Sequence, residues 1–399
     1  MRSFRIGSAF GIPVKLDLTF LLVLPIFAWL ISSQVGDLVS VLNELMGLQL
    51  DVAVLTAGSM PWIVGMAAAI GLFAGVLLHE FGHALVAMRY GFPIESITLW
   101  FLGGIAQLSE QPEEWRTELY IAIAGPAVSV AIGVVLWVSL AFVPASMNVL
   151  GFLVAYLALI NIVLAVFNML PGFPMDGGRV LRALLARNRS FARATHLAAE
   201  VGKGVAIILG ILGLFGGNLI LIAIAFFIYI GAAGESQQTT LKAAFEGVSV
   251  ADVMTPEASV STIEPDRTVA DLIEQMFRHR YTGFPVERDG EILGMVTLAD
   301  ARKVDQVERD AYTVEDVMST ELHTIEEWAD AATALERMQQ QSIGRLLVVD
   351  ERGEMAGLLS RTDLMRAFEI IKSSGLQPEK QGLGPDRRFV DGDPDSPRW

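Results

Sequence analysis

The chain has 399 residues, of which 53% are hydrophobic and 18% charged, and this composition predicts a polytopic membrane protein. The absence of cysteine excludes disulfide bonds and thiolate chemistry, so a zinc site would have to use His and carboxylate ligands. The formal net charge of −15 is concentrated in residues 246–399, which carry 31 acidic and 17 basic side chains. This part is predicted to be soluble, and its acidity argues against a nucleic-acid partner.

Six apolar segments are long enough to cross a hydrocarbon core of about 30 Å. No small-residue cleavage site follows the first of them, so we interpret residues 1–20 as the start of a retained span, not as a removed signal peptide. The last two segments are separated by Gly216 and Gly217, which favours a helical hairpin over one broken helix. The segments lie near residues 17–33, 61–88, 119–143, 149–170, 201–215 and 217–233.

Basic residues occur in alternate loops between these segments. The positive-inside rule therefore predicts a multi-pass protein of the cell membrane with both termini in the cytoplasm. Lys and Arg lie before the first segment, between the second and third, and between the fourth and fifth, at Arg2, Arg5, Lys15, Arg89, Arg116, Arg179, Arg182, Arg187, Arg189 and Arg193.

The second segment contains the motif HEFGH at residues 79–83. Residues four apart share one face of a helix, so His79 and His83 can bind one Zn²⁺ while Glu80 acts as general base on a water in the fourth position. Ionisable groups cost roughly 2.5–3.5 kcal/mol each inside a bilayer, which favours a functional role over a chance match. His79 lies eighteen residues after Pro61, about 27 Å along a helix, and therefore near the cytoplasmic edge of the membrane.

The fourth segment runs in the same direction and ends in NMLPGFPMDGG. Asp176 is therefore expected at a similar depth, where it can be the third zinc ligand. A turn or helix-capping role is the alternative, because Pro174 and Gly177 flank it. Asn168 can hold a substrate carbonyl or its oxyanion, or, like Asn161, it can form hydrogen bonds between helices. The predicted reaction is peptide hydrolysis.

Two further features concern access to this site. Residues 95–110 alternate β-forming side chains around Gly103 and Gly104 and are too short for a span. We expect either a re-entrant β-hairpin whose edge can pair with an extended substrate, or an interfacial hairpin that only packs. Gly125 and Pro126 in the third segment are expected to kink that helix or to allow close helix packing.

HEFGH on an early span, followed two spans later by NMLPGFPMDGG, resembles the site-2 protease family of intramembrane zinc metalloproteases over residues 1–235. The resemblance implies zinc-dependent cleavage of transmembrane segments of membrane proteins near the cytoplasmic face. It also implies His79, His83 and Asp176 as zinc ligands, Glu80 as the catalytic residue and Asn168 as a position near the substrate.

Residues 248–372 contain two copies of one unit about 63 residues apart, each predicted to fold as strand, helix, two strands and helix. The repeat resembles a tandem pair of CBS domains with the signature G-x-x-[ST]-x-x-D. This resemblance implies binding of AMP, ADP or ATP, or the formation of a homodimer. The alternative is that each hydroxyl and carboxylate only caps the next helix. The residues are Thr297 and Asp300 in the first copy, and Ser360 and Asp363 in the second.

The predicted fold class is a polytopic α-helical membrane domain with six spans and a re-entrant β-hairpin, followed by a soluble α+β tandem CBS pair. Two other functions stay open. A CBS-regulated transporter or channel would need a second broken helix related by pseudo-symmetry, and a catalytically silent binding homologue is disfavoured by the intact Glu80. The predicted domains are the metalloprotease domain 1–235, a connector 236–247, CBS domains 248–307 and 308–372, and a disordered tail 373–399.

Overall fold

A computed structural model describes residues 3–100, 103–108, 112 and 114–374 of the chain. The chain divides into two compact units, residues 1–239 and 240–399. The predicted tail, residues 373–399, lies outside the described residues apart from its first two positions. The predicted order of a helical membrane domain followed by an α+β repeat agrees with these two units.

Residues 1–239 form a helical bundle with one sheet. Among the described helices, five are long and apolar enough to cross a membrane, namely α4, α5, α6, α8 and α9, and the bent pair α1 and α2 can count as a sixth span. The helices are α1 (Leu18–Ser33), α2 (Val35–Met46), α3 (Val52–Thr56), α4 (Met60–Arg89), α5 (Trp115–Ser139), α6 (Asn148–Asn168), α7 (Asp176–Ala186), α8 (Phe191–Phe215) and α9 (Leu219–Ala244).

A four-stranded sheet lies against the helix that carries HEFGH. Its order is β1-β2-β3-β4, and β2 and β3 pair in parallel while the other neighbours are antiparallel. Ile12, Val14 and Ile97 of the sheet are buried against Phe81 and Ala84 of α4. The sheet therefore covers the segment of α4 that contains the motif. The strands are β1 (Ser3–Ala9), β2 (Ile12–Asp17), β3 (Ile94–Trp100) and β4 (Gly103–Leu108).

The N-terminal strands differ from the sequence prediction. Residues 3–17 form β1 and β2 and not the start of the first span, which begins at Leu18. The side chain of Asp17 accepts a hydrogen bond of 2.9 Å from the backbone N–H of Thr19 and so caps α1. Residues 12–15 of β2 are alternately buried and half-buried, as expected for side chains that point to opposite faces of a sheet.

The last two membrane helices are longer than their apolar segments. α8 and α9 are joined at residues 216–218, in agreement with the predicted hairpin. α8 begins at Phe191, ten residues before its apolar segment. In this first part of the helix the small side chains of Ala194 and Ala198 are buried, although polar residues lie next to them in the sequence. α9 continues to Ala244, so most of the predicted connector is helical.

Close helix contacts at small residues hold the bundle together. An added Cβ at Gly65 of α4 would lie 2.6 Å from the Ala28 carbonyl of α1, and one at Gly82 would lie 2.9 Å from the Ala124 carbonyl of α5. In lipid, where water does not drive helix association, such close packing supplies much of the attraction between helices. α4 is therefore fixed on two sides by its neighbours.

Residues 240–374 form the α+β repeat unit. β6 and β7 pair in the first copy, and the order β5-β10-β9-β8 forms the other sheet. The first predicted strand of the first copy is reduced to one bridge between Ile263 and Val286. The elements are α10 (Val250–Val253), β5 (Thr255–Pro256), α11 (Val269–His279), β6 (Gly283–Arg288), β7 (Glu291–Thr297), α12 (Leu298–Ala301), α13 (Val314–Val317), β8 (Thr324–Glu326), α14 (Ala331–Gln340), β9 (Arg345–Val349), β10 (Met355–Ser360) and α15 (Arg361–Ser374).

Phe284 and Phe277 provide a matched test of this unit's core. Phe284 on β6 is fully buried, whereas Phe277 on α11 is 88% exposed. We expect Phe284→Ala to destabilise the unit by about 3–5 kcal/mol, because it leaves a cavity, and Phe277→Ala to change stability by less than about 0.5 kcal/mol. Hydrogen exchange of β6 and β7 amides in the full chain measures both. Equal protection in the two variants would contradict this assignment of the core.

Candidate functional site

Three polar side chains from two helices converge inside the membrane unit. His79 and His83 lie one turn apart on α4, and Asp176 is the first residue of α7. Oδ2 of Asp176 is 3.0 Å from Nε2 of His79 and 3.2 Å from Nε2 of His83, and the two Nε2 atoms are 3.1 Å apart. Both histidines are buried. The structure thus brings together the three residues whose roles as zinc ligands were inferred from sequence, and those roles stay predictions.

The hydrogen bonds of the two imidazoles determine which nitrogens face the centre of the site. Nδ1 of His83 lies 2.7 Å from the backbone carbonyl of Ile121, which can only accept, so Nδ1 carries the proton. Nδ1 of His79 lies 2.9 Å from the hydroxyl of Ser129, which can accept in the same way. Each Nε2 then presents a lone pair toward the other and toward the Asp176 carboxylate.

These three atoms fit a divalent cation. Lone pairs and a carboxylate facing one another repel unless a positive charge lies between them. A tetrahedral zinc ion with bonds of about 2.0–2.1 Å holds its ligand atoms roughly 3.3 Å apart, close to the separations seen between His79, His83 and Asp176. Two neutral imidazoles and one carboxylate are a common ligand set of catalytic zinc, which leaves a fourth position open.

Sequence reasoning missed the part that α5 has in this site. Ser129 and the Ile121 carbonyl orient the two imidazoles, and Gly125 lies between them on the same helix. A Cβ at Gly125 would lie 2.2 Å from Nε2 of His83 and 2.7 Å from Nε2 of His79. Gly125 therefore provides the space that the histidines occupy. Ser129 could have been noticed in the sequence, because it is a polar residue within an apolar span. The carbonyl of Ile121 could not, because every residue has a backbone carbonyl.

Asp176 is positioned by a closely packed first turn of α7. The N-cap position of α7 is occupied by Met175, which forms no side-chain cap. Asp176 is the next residue, so it does not have the capping role that was the alternative to a ligand role. A Cβ at Gly177 would lie 2.2 Å from the Leu170 carbonyl, and one at Gly178 would lie 2.4 Å from the backbone of Gly172. The two glycines let α7 begin directly against the preceding loop, which directs Asp176 back toward α4.

Glu80 packs against the sheet. The Cγ atom of Glu80 would lie 2.3 Å from a Cβ at Gly104 of β4, so only glycine leaves room for the Glu80 side chain there. Glu80 is half-buried, unlike the two histidines beside it. The hairpin predicted around Gly103 and Gly104 is present as β3 and β4, and it contacts the predicted general base.

The two asparagines of α6 have different environments. Asn168 is the last residue of α6 and is half-buried, and within the described residues its side chain forms no hydrogen bond. Asn161 is 3% exposed, and its amide donates to the Leu157 carbonyl at 2.8 Å while its oxygen packs against Gly75. Asn168 therefore has an amide without a hydrogen-bond partner among the described residues, whereas Asn161 packs between helices.

The four predicted CBS residues cap helices. The Asp300 carboxylate accepts from the backbone N–H and the hydroxyl of Thr297, at 3.0 and 2.6 Å. Ser360 and Asp363 repeat this arrangement with the same distances. Thr297 and Asp300 also line a cleft of about 450 Å³ between the two copies, whose other lining residues include Thr282, His323 and Arg345. Ser360 and Asp363 are not among the described residues that line it.

The Asp300 carboxylate stays charged in this cleft. Burial opposes its ionisation, but hydrogen bonds from Lys303 and Thr297 hold the pKa of Asp300 below its ordinary value. Burial lowers the pKa of Arg345, whose guanidinium donates to the Thr282 hydroxyl at 2.6 Å. An ionised acceptor and a cationic donor thus face one space of small-molecule size.

The sequence matches the family model of peptidase family M50 over residues 67–150 and 144–209, and that of the CBS domain over residues 250–306 and 314–370. A zinc metalloprotease of Methanocaldococcus jannaschii is 35% identical over 371 residues, which cover 93% of this chain and 97% of that protein. The putative zinc metalloprotease Rip3 of Mycobacterium tuberculosis is 31% identical over 393 residues, covering 94% of each chain.

One solved structure is also similar. A site-2 protease from Methanocaldococcus jannaschii is 37% identical, with a TM-score of 0.44, and the match covers 59% of this chain and 95% of that chain.

The space at Gly125 gives a direct test of the metal centre. We expect Gly125→Ala to abolish zinc binding, because the added methyl group would occupy the position between the two Nε2 atoms. Gly204→Ala on α8 is the matched control, since a Cβ there has nothing within 4 Å and its zinc content should equal that of the wild type. Zinc is measured by elemental analysis of the purified full chain. Full zinc occupancy in Gly125→Ala would contradict the proposed ligand geometry.

Proposed function

The chain belongs to peptidase family M50 and is a metalloprotease, and from this premise we propose that it cleaves transmembrane segments of membrane proteins near the cytoplasmic face. The observation that carries the proposal is the convergence of three ligand atoms, on His79, His83 and Asp176, inside a bundle of apolar helices. A substrate that never leaves the bilayer can reach only a site that lies within it.

The residues around the centre divide the reaction into separate tasks. When zinc is bound, it lowers the pKa of a coordinated water and polarises a peptide carbonyl. Glu80, next to His79 on α4, takes the proton of the water and passes it to the leaving amine. Asn168 donates its amide to the substrate carbonyl or the developing oxyanion. Ser129 and the Ile121 carbonyl keep the imidazoles in the tautomer that leaves each Nε2 unprotonated.

The length of α4 supports a site near one membrane surface. Its 30 residues span about 45 Å, more than the roughly 30 Å of a hydrocarbon core. His83 lies six residues before the end of the helix, about 9 Å. The distribution of Lys and Arg supports a multi-pass cell-membrane protein in which that end and both chain termini are cytoplasmic.

The contact between β4 and Glu80 supports binding of substrate as an extended strand. A helix has no accessible peptide bond, so a transmembrane substrate must unwind before it is cut. β4 is the last strand of the described sheet, and its Gly104 lies against Glu80. A substrate strand added at this edge would pass beside the general base.

Replacing Glu80 by Gln tests the assignment of the base. We expect Glu80→Gln to abolish cleavage of a co-expressed single-span membrane protein while zinc stays bound, because the ligands are intact and only the proton acceptor is lost. Glu95→Gln, at an exposed glutamate of β3, is the matched control and should cleave at the wild-type rate. Cleavage by purified Glu80→Gln protein would rule out this role, and zinc-free protein would point to a structural effect.

The CBS pair is proposed to regulate the protease by binding an adenine nucleotide in the cleft that Thr297 and Asp300 line. An ionised Asp300 can accept from two ribose hydroxyls, and Arg345 can donate to a phosphate. The unit also exposes Val307, at 91%, which is suited to contact with a second copy of the chain. Its acidic surface is unsuited to nucleic acid.

Calorimetric titration of AMP, ADP and ATP into the full chain tests the nucleotide site. We expect at least one to bind, and Asp300→Asn to weaken it roughly 10-fold or more, because a hydrogen bond to a charged group contributes about 1.5–3 kcal/mol. Asp310→Asn removes an exposed carboxylate that is not part of the cleft lining and should leave this affinity unchanged. No heat with any of the three nucleotides, or an equal loss in both variants, would contradict the proposal.

A further inference from the structure

We propose that Arg182 is a positioning residue that holds Asp176 in ligand geometry by fastening α7 to α5. The inference rests on the proposed function, since it concerns the third zinc ligand. Both residues lie on α7, a helix of 11 residues that is too short to cross the membrane. Asp176 is its first residue, and Arg182 follows six residues later, about 9 Å along the axis. An anchor at Arg182 therefore fixes the direction in which the helix presents Asp176.

The guanidinium of Arg182 is bound to two other helices. Its Nε and a terminal nitrogen donate to Oε1 of Glu118 on α5, at 2.6 and 2.5 Å, and its other terminal nitrogen donates to Oε1 of Glu235 on α9, at 2.9 Å. Its side chain and that of Glu118 are only 5% and 4% exposed. Three helices are thus tied together at one buried guanidinium.

Aromatic rings enclose this ion pair. The guanidinium carbon of Arg182 lies 4.9 Å from the centre of the Phe173 ring and 4.5 Å from that of Phe191. Phe173 is itself buried in the loop that leads into α7. A planar guanidinium can stack on rings and donate in a fork at the same time, which an ammonium group cannot do. The site is therefore specific for Arg in its shape as well as its charge.

All three predicted zinc ligands are then connected to α5. Ser129 of this helix bonds His79, the carbonyl of Ile121 bonds His83, and Glu118 bonds Arg182 on α7, the helix that begins with Asp176. Glu118 precedes Ile121 by one helical turn, so the two contacts lie on neighbouring parts of the same surface. The geometry indicates that one rigid helix sets the relative positions of ligands that come from α4 and α7.

Zinc affinity, and not activity alone, tests this role. Purified full-length protein is equilibrated with chelator-buffered zinc over a range of free concentrations, and the bound metal is measured. Arg182→Lys keeps the charge but loses the fork and the ring contacts, and we expect a zinc affinity about 10–100-fold weaker, as for other residues that orient metal ligands. Lys203→Met, which removes an ion pair with Glu200 on α8, is the control and should bind zinc like the wild type.

A double variant separates positioning from folding. Glu118→Leu combined with Arg182→Leu removes the two most buried charges together, which avoids leaving either of them unpaired. Glu235 also loses its ion pair with Arg182, but its side chain is 29% exposed and keeps contact with solvent. We expect this protein to keep the wild-type melting temperature within a few degrees and still to bind zinc about 10–100-fold more weakly. Wild-type zinc affinity in the double variant or in Arg182→Lys would overturn the proposal.

The same assay identifies the helix that serves as the anchor. Glu118→Gln should weaken zinc binding more than Glu235→Gln, because Glu118 accepts two bonds from Arg182 and Glu235 accepts one. The opposite order would place the anchor on α9 and overturn the assignment to α5. Wild-type protein that binds no zinc at any concentration would instead remove the proposed function itself, and with it this inference.

Discussion

The repulsion among three predicted ligand atoms is the constraint on which the site depends. His79, His83 and Asp176 direct two lone pairs and a carboxylate into one small volume, with mutual distances of 3.0–3.2 Å. Without a cation the imidazoles would turn away or take up protons. The surrounding helix α5 opposes the first of these responses through its bonds to both Nδ1 atoms. Side-chain orientation is thus set before the metal binds, which lowers the cost of ordering the ligands.

Preorganisation of this kind requires very close approach of the elements, and glycine permits it. Gly125 makes room for the two imidazoles, Gly104 for Glu80, and Gly177 with Gly178 for the start of α7. At each of these positions an added Cβ would lie under 3 Å from another heavy atom. The site is therefore enclosed by backbone as much as by side chains. Backbone cannot move aside for an added side chain as a flexible side chain could.

The sequence was sufficient for those parts of the structure that follow from periodicity or from topology. The four-residue spacing of His79 and His83 placed them on one helix face, and the matching directions of the second and fourth spans brought Asp176 to their depth. The parallel pairing of β2 with β3 joins residues more than eighty positions apart and has no local signal. The bond from His83 to the Ile121 carbonyl also escaped prediction, because every residue has the same backbone oxygen. In the CBS unit, G-x-x-[ST]-x-x-D located Thr297 and Ser360 equally well, but only the fold shows that just the first of them lines the cleft.

The distribution of polar groups along the bundle explains why the site lies toward one end of α4. The N-terminal half of α4 packs Val64, Ala68 and Ala69 into a hydrophobic cluster with side chains of α1, α2 and α6. Five ionisable groups lie toward the other end, where α5, α7 and α9 meet, namely His79, His83, Asp176, Glu118 and Arg182. Concentrating the charges there allows Arg182 to pair with Glu118 and Glu235, and it leaves the opposite half of the bundle apolar enough to match a hydrocarbon core. It also shortens the path by which water must reach the ligands, and hydrolysis consumes one water for each bond cut. A metal centre halfway along the bundle would lose both advantages, so the position of the motif toward one end of α4 fits the chemistry proposed for it.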